Sequence, residues 1–108
     1  MSGETIGELE HLILLTILNH PDGGTALNVR RTLAEQAGRS ITRGSLYRAL
    51  DRLGEKGLIT WEVDEPTEER GGHSRRIYQV SPTGLAVLRD RREALQRLWA
   101  GAAGALGA

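Results

Sequence analysis

Arginine is the residue through which this chain can do chemistry, and its spacing gathers it into two clusters. In Thr42-Arg43-Gly44-Ser45-Leu46-Tyr47-Arg48-Ala49-Leu50-Asp51-Arg52-Leu53, the residues Leu46, Leu50 and Leu53 recur at the spacing of one buried helical stripe. Arg43, Tyr47, Arg48 and Arg52 fall away from that stripe, so the other face carries forked cationic donors and a phenol. A guanidinium fork matches a phosphate or the acceptor edge of guanine. The second cluster, Arg70-Gly71-Gly72-His73-Ser74-Arg75-Arg76, sets three arginines around a glycine turn whose backbone can approach a groove closely. Together they read as a helix and a wing that grip double-stranded DNA in adjacent grooves. The candidate contacts are Arg39, Thr42, Arg43, Ser45, Tyr47, Arg48 and Arg52 in and before the helix, and Arg70, Gly72, His73 and Arg75 in the wing. Arg43 or Arg48 is the candidate for reading a guanine edge, and His73 would gain charge in the field near DNA. The competing readings are a solvated face for the helix and, for the wing, a self-neutralised hairpin in which Arg70, Arg75 and Arg76 pair with Glu65, Glu68 and Glu69. A pairing of Arg76 with Glu62 within the sheet is a further expectation.

Local signals supply the elements that must hold these residues. Thr5-Ile6-Gly7-Glu8 has the form of a capping box and predicts a first helix over about Ile6 to Asn19. Its second half, Leu12 to Leu18, is apolar on more than one stripe, which implies packing on its own core and on a second subunit, or else full burial. His20-Pro21-Asp22-Gly23-Gly24 breaks the chain, and Thr25 caps a second helix to about Ala37 with Val29, Leu33 and Ala37 on its inner face. Thr42 caps the third helix and Gly57 closes it. Leu58 to Val63 alternates as a strand with Ile59, Trp61 and Val63 on one side, and Arg76 to Val80 is its partner across a long loop. Trp61 is expected in the hairpin core rather than as a ligand platform. Ser81-Pro82 opens a last helix to about Ala100, on which Leu85, Leu88, Arg92, Leu95 and Trp99 follow a seven-residue repeat. Fewer than three heptads is short for a free coiled coil, so this seam should pair with help from the first helix. The expected dimer interface is Leu12, Leu15, Leu85, Leu88, Arg92, Leu95 and Trp99. The expected division is a winged helix-turn-helix DNA-binding domain over 1–81, a dimerisation helix over 82–101 and a fraying tail over 102–108.

At 108 residues, 39% hydrophobic and 26% charged, the chain fits one soluble domain with a modest core. No apolar run approaches the roughly 20 residues that span a bilayer, and the acidic start lacks a secretory signal, so no membrane partner and a cytoplasmic location are expected. Cysteine is absent, which excludes disulfides, thiolate metal sites and thiol redox sensing. The formal charge of zero argues against a generic polyanion binder, but the charge is unevenly placed. Four arginines and one acid lie between Arg39 and Arg52, while Glu62 to Glu69 holds five acids and no base. His11, His20 and His73 lack metal-ligand spacing and the isolated acids form no acid–base pair, so no metal, cofactor or catalytic activity is expected.

The ordered set Gly7-Glu8-Leu9-Glu10, then Arg43 to Leu53, Glu55-Lys56-Gly57-Leu58-Ile59, Glu69-Arg70-Gly71-Gly72 and Arg75 to Gly84 resembles the PadR family of bacterial transcriptional regulators, over about Gly7 to Trp99. The resemblance implies a mostly α fold with a small antiparallel β-wing, a winged helix-turn-helix followed by a dimerisation helix. It further implies a homodimeric repressor on a palindromic operator, released by a small-molecule effector. Some relatives hold flat aromatic ligands against a last-helix tryptophan, a part that falls here to Trp99, with dimer packing as the alternative. Two positions depart from the pattern: Thr25-Ala26 stands where relatives carry tyrosine-glycine, and Gly54 replaces a glutamate, costing up to about 1 kcal/mol of helix stability. A winged-helix module for protein partners, without an operator, is the alternative function.

Overall fold

Hydroxyl side chains begin three of the helices. Thr25, Thr42 and Ser81 accept the backbone N–H of Asn28, Ser45 and Gly84, which satisfies donors that an opening helical turn leaves unpaired. The computed structural model describes residues 6–65 and 74–107. Its elements are α1 (Glu8–Leu18), α2 (Ala26–Ala37), α3 (Arg43–Glu55), β1 (Ile59–Asp64), β2 (Arg75–Val80) and α4 (Pro82–Gly101). This is the expected winged helix-turn-helix architecture: three helices, a two-stranded antiparallel wing and a long final helix.

The first helix starts at Glu8, not at Ile6, on a Gly7 cap that offers no side-chain oxygen. Ile6 is buried and seals the core ahead of the helix; Thr5 lies outside the described residues. Leu58 also differs from expectation, because it precedes the ladder. It is fully buried, its N–H donates to the Leu53 carbonyl at 3.0 Å and its carbonyl accepts from Ser81 N–H at 3.0 Å, so it staples the end of α3 to the start of α4.

The sheet register pairs Ile59 with Val80, Trp61 with Tyr78 and Val63 with Arg76. Of the three β1 residues expected on one buried face, only Ile59 enters the core; Trp61 is 40% and Val63 64% exposed. The ribbon runs out beyond the helices that would cover it. The loop before α2 adds an isolated bridge: Gly24 N–H donates to Tyr78 O at 3.0 Å and Tyr78 N–H to Gly24 O at 2.8 Å. Gly23 makes this approach possible, with φ of 101° and a position where a Cβ would lie 2.2 Å from Ile77 Cγ2.

The core gathers Ile13, Leu14 and Ile17 of α1, Val29 and Leu33 of α2, Leu46, Leu50 and Leu53 of α3, then Tyr78, Val87 and Leu88. α4 therefore enters the same core through its first half, while its second half leaves Leu95, Leu98 and Trp99 exposed. Beyond Gly101 the described residues continue as turns, with Ala105 N–H donating to Ala102 O at 2.9 Å. Among the described residues no helix is long and apolar enough to cross a membrane.

Candidate nucleic-acid interface

The leucines that bury one side of α3 leave Arg43, Tyr47 and Arg48 exposed along its N-terminal half. Arg43 lies over the Tyr47 ring at 5.9 Å from its centroid, and Arg48 Nη2 donates to Ser45 Oγ at 3.2 Å. Both contacts limit the rotamers of long side chains on a face that stays exposed. Thr42 and Ser45 stand at the start of the same face, the former with its oxygen engaged as the cap.

Two of the expected helix contacts are engaged elsewhere. Arg39 Nη1 donates to Glu8 Oε1 at 2.6 Å in an exposed pair, a type that contributes little to stability. Arg52 Nε donates to Glu10 Oε2 at 2.8 Å, and Lys56 Nζ to Glu10 Oε1 at 2.8 Å. The Glu10 side chain is 9% exposed. Burial pushes its carboxyl up, but the hydrogen bonds from Lys56 and Arg52 and their charges outweigh it and hold the group below its ordinary range. Sequence reasoning missed this triad because Glu10 and Arg52 are 42 residues apart and meet only through packing.

In the wing, Arg70, Gly72 and His73 lie outside the described residues. Arg75 Nε donates to its register partner Asp64 at 3.0 Å. Arg76 does not pair with Glu62: alternation along the ladder puts them on opposite faces, and Arg76 instead lies 4.8 Å from the Trp61 ring centroid and 4.0 Å from Asp51. Trp61 is thus not a core residue. Its ring sits at the edge of the sheet between Tyr78, Arg76 and Gly54.

Between the start of α2, the exposed face of α3 and the sheet runs a cleft of about 670 Å³, lined by Leu27, Arg43, Tyr47, Val63, Arg75 and Arg76 among others. Sequence reasoning missed Leu27 and Val63 as members of this cleft. Leu27 carries a signal, an apolar residue off the buried stripe of Val29 and Leu33, beside a cationic cluster and 59% exposed, whereas Val63 alternates with Ile59 as a core residue would and carries none.

A second concavity, of about 430 Å³, lies between α1 and α4. It brings together Leu15, Leu85, Leu88, Arg92, Leu95 and Trp99 of the expected interface and adds His11, Leu18, Arg89 and Gln96. Leu12 does not line it but packs on the core from α1. Burial pushes the His11 imidazole down, and the nearby charge of Arg91 adds to this.

Residues 13–90 match the model of the Transcriptional regulator PadR-like family. A curated relative, Transcriptional regulator Rv3488 of Mycobacterium tuberculosis, is 36% identical over 63 residues, 56% of this chain and 53% of that protein. The chain thus spans about half the length of the curated relative it matches. The X-ray structure of a PadR-like transcription factor from Bacteroides fragilis is similar with a TM-score of 0.72 and 28% identity, covering 83% of this chain and 82% of that one. Bacillus subtilis PadR, solved in complex with operator DNA, shares the fold with a TM-score of 0.67 at 18% identity, covering 80% of this chain and 47% of that one. With most of its length under one family model, and with the fold of solved relatives, the chain belongs to the PadR-like family of transcriptional regulators.

Proposed function

We propose that the protein binds double-stranded DNA as a homodimer on a palindromic operator and represses transcription there. The observation that carries this reading is the exposed face of α3, where Arg43, Tyr47 and Arg48 sit beside an arginine-lined cleft that opens toward the wing. Phosphate contacts would supply most of the affinity, and Arg43 or Arg48 would read a guanine edge. A relative crystallised with operator DNA supports the same use of the fold. The wing contacts at Arg70, Gly72, His73 and Arg75 belong to this proposal, as do Thr42 and Ser45 at the head of α3. Arg39 belongs to it as well, its exposed pair with Glu8 being weak enough to yield to a phosphate, whereas Arg52, held by the buried Glu10, is assigned instead to positioning α3.

Dimerisation is assigned to the apolar concavity of α1 and α4, and release to a small aromatic molecule stacking on Trp99 within it. An exposed tryptophan in an apolar wall beside arginines suits a flat ligand, and the same wall suits a second copy.

The test is selection of duplexes from a randomised pool by the purified chain, followed by footprinting. A symmetric protected site and affinity that falls steeply with salt are expected. Arg43→Ala with Arg48→Ala should abolish selective binding and flatten the salt dependence by about 0.9 for each phosphate no longer neutralised, while the dimer persists. Unaltered binding by that double variant would refute the placement. A salt-insensitive complex with a protein and no enriched duplex would favour the protein-interaction module.

A further inference from the structure

Two cations one turn apart, Arg52 in the last turn of α3 and Lys56 at its C-terminal cap, converge on a single carboxylate of α1. Arg52 takes one oxygen of Glu10 and Lys56 the other, each at 2.8 Å. Glu10 lies in the first turn of α1, the only strongly buried acid among the described residues. A carboxylate so enclosed must keep its partners, because removing either leaves charge with little water to solvate it. The close-packed leucines between α1 and α3 fix which faces meet. The two charged hydrogen bonds add a directional restraint at the C-terminal end of α3, since both lengthen if that end turns or slides away from Glu10.

We propose that Glu10 is a positioning residue for DNA recognition: by pinning the C-terminal half of α3 through Arg52 and Lys56, it sets the angle at which Arg43 and Arg48 meet the duplex. The inference rests on the DNA-binding reading above. Nine residues separate Arg52 from Arg43, a lever of about 14 Å at 1.5 Å per helical residue. A tilt of roughly 10° at the pin moves the far end by about 2 Å, enough to break a bidentate base contact built on that rise per residue. The two cations therefore serve α3 through Glu10 rather than through the duplex.

This assignment and the simpler alternative, that Arg52 itself touches DNA and Glu10 merely masks it, predict opposite signs. The full-length chain is titrated with its best duplex from a randomised pool and with a scrambled duplex of the same length. Glu10→Gln should weaken the selected duplex about tenfold, the value of a single base-edge contact, while binding to the scrambled duplex stays equal or tightens because a negative charge is gone. Arg52→Ala should weaken the selected duplex likewise while leaving the scrambled duplex and the salt slope unchanged, and Arg52→Lys, which keeps a cation in reach of Glu10, should restore selectivity. Lys56→Gln, which leaves the Arg52 bond intact, supplies a milder form if Glu10→Gln folds poorly. The inference falls if Glu10→Gln binds the selected duplex as well or better, or if Arg52→Ala lowers the salt slope by about 0.9. It falls also if the variants lose both duplexes in proportion, the mark of a folding defect alone. A parent chain that enriches no duplex removes the DNA-binding reading, and this inference with it.

Discussion

Gly54 looks like a flaw when α3 is read as a helix, and the Trp61 ring explains it. A Cβ at Gly54 would come 2.9 Å from the Cζ3 of Trp61, so the missing side chain is the seat of the indole. Gly54→Ala should therefore fail to deliver the roughly 1 kcal/mol that a helix interior normally gains from this change. A thermal melt with an unchanged or lower midpoint, and a shift in Trp61 emission in a Trp99→Phe background, would report the displaced ring. Gly84 is a stricter case, because the atom in the way is backbone. A Cβ there would lie 2.2 Å from the Leu58 carbonyl oxygen and 2.8 Å from Val80 Cγ1. Gly84→Ala is expected to cost about 1–3 kcal/mol in urea unfolding, the usual range for overpacking.

At the scale of elements, α1 has two working sides. One carries Glu10 to α3, and the other carries His11, Leu15 and Leu18 to the concavity shared with α4. Leu15 is 39%, Leu95 46% and Trp99 57% exposed, which leaves an apolar wall along the concavity. If a second copy covers that wall, Leu95→Glu places a charge in the seam of each protomer. The expected result is a monomer by sedimentation at concentrations where the parent is a dimer, with helical content retained because Leu95 lies outside the core. A dimer unaffected by Leu95→Glu would move the interface elsewhere. The helix caps act more locally. Ser81 Oγ accepts Gly84 N–H at 3.0 Å and donates to the Gly57 carbonyl at 2.6 Å, so a single hydroxyl joins the end of α3 to the start of α4.

For the whole molecule the formal charge is zero, and acid is the condition that disturbs it most selectively. His11 titrates below its ordinary 6.5 in the fold, so the folded state binds its proton less readily than the unfolded chain. Its contribution is present above about pH 6.5 and is lost as pH falls toward the folded value. Glu10 is held below its ordinary 4.5, so its contribution persists further and is lost only as pH falls through that lower value. Urea midpoints should thus decline in two stages on acidification. His11→Gln should remove the first stage and Glu10→Gln the second; a single transition shared by both variants would contradict the assignment.

The elements were legible in the sequence because their causes are local: hydroxyls at Thr25, Thr42 and Ser81, the leucine stripe of α3 and the proline after Ser81 act within a turn or two of themselves. The cationic face around Tyr47 was legible for the same reason, since helical periodicity alone separates it from Leu46, Leu50 and Leu53. What periodicity reports is the side of a helix, and a side says nothing about which partner waits there. Arg39 and Arg52 share the composition of Arg43 and Arg48, yet packing brings Glu8 and Glu10 against the first pair and none of the described acids within ion-pair distance of the second. Trp61 and Val63 alternate as core residues should, but nothing in the strand itself states how far the covering helices extend. Such outcomes depend on distances between residues far apart along the chain, and only the tertiary structure sets them.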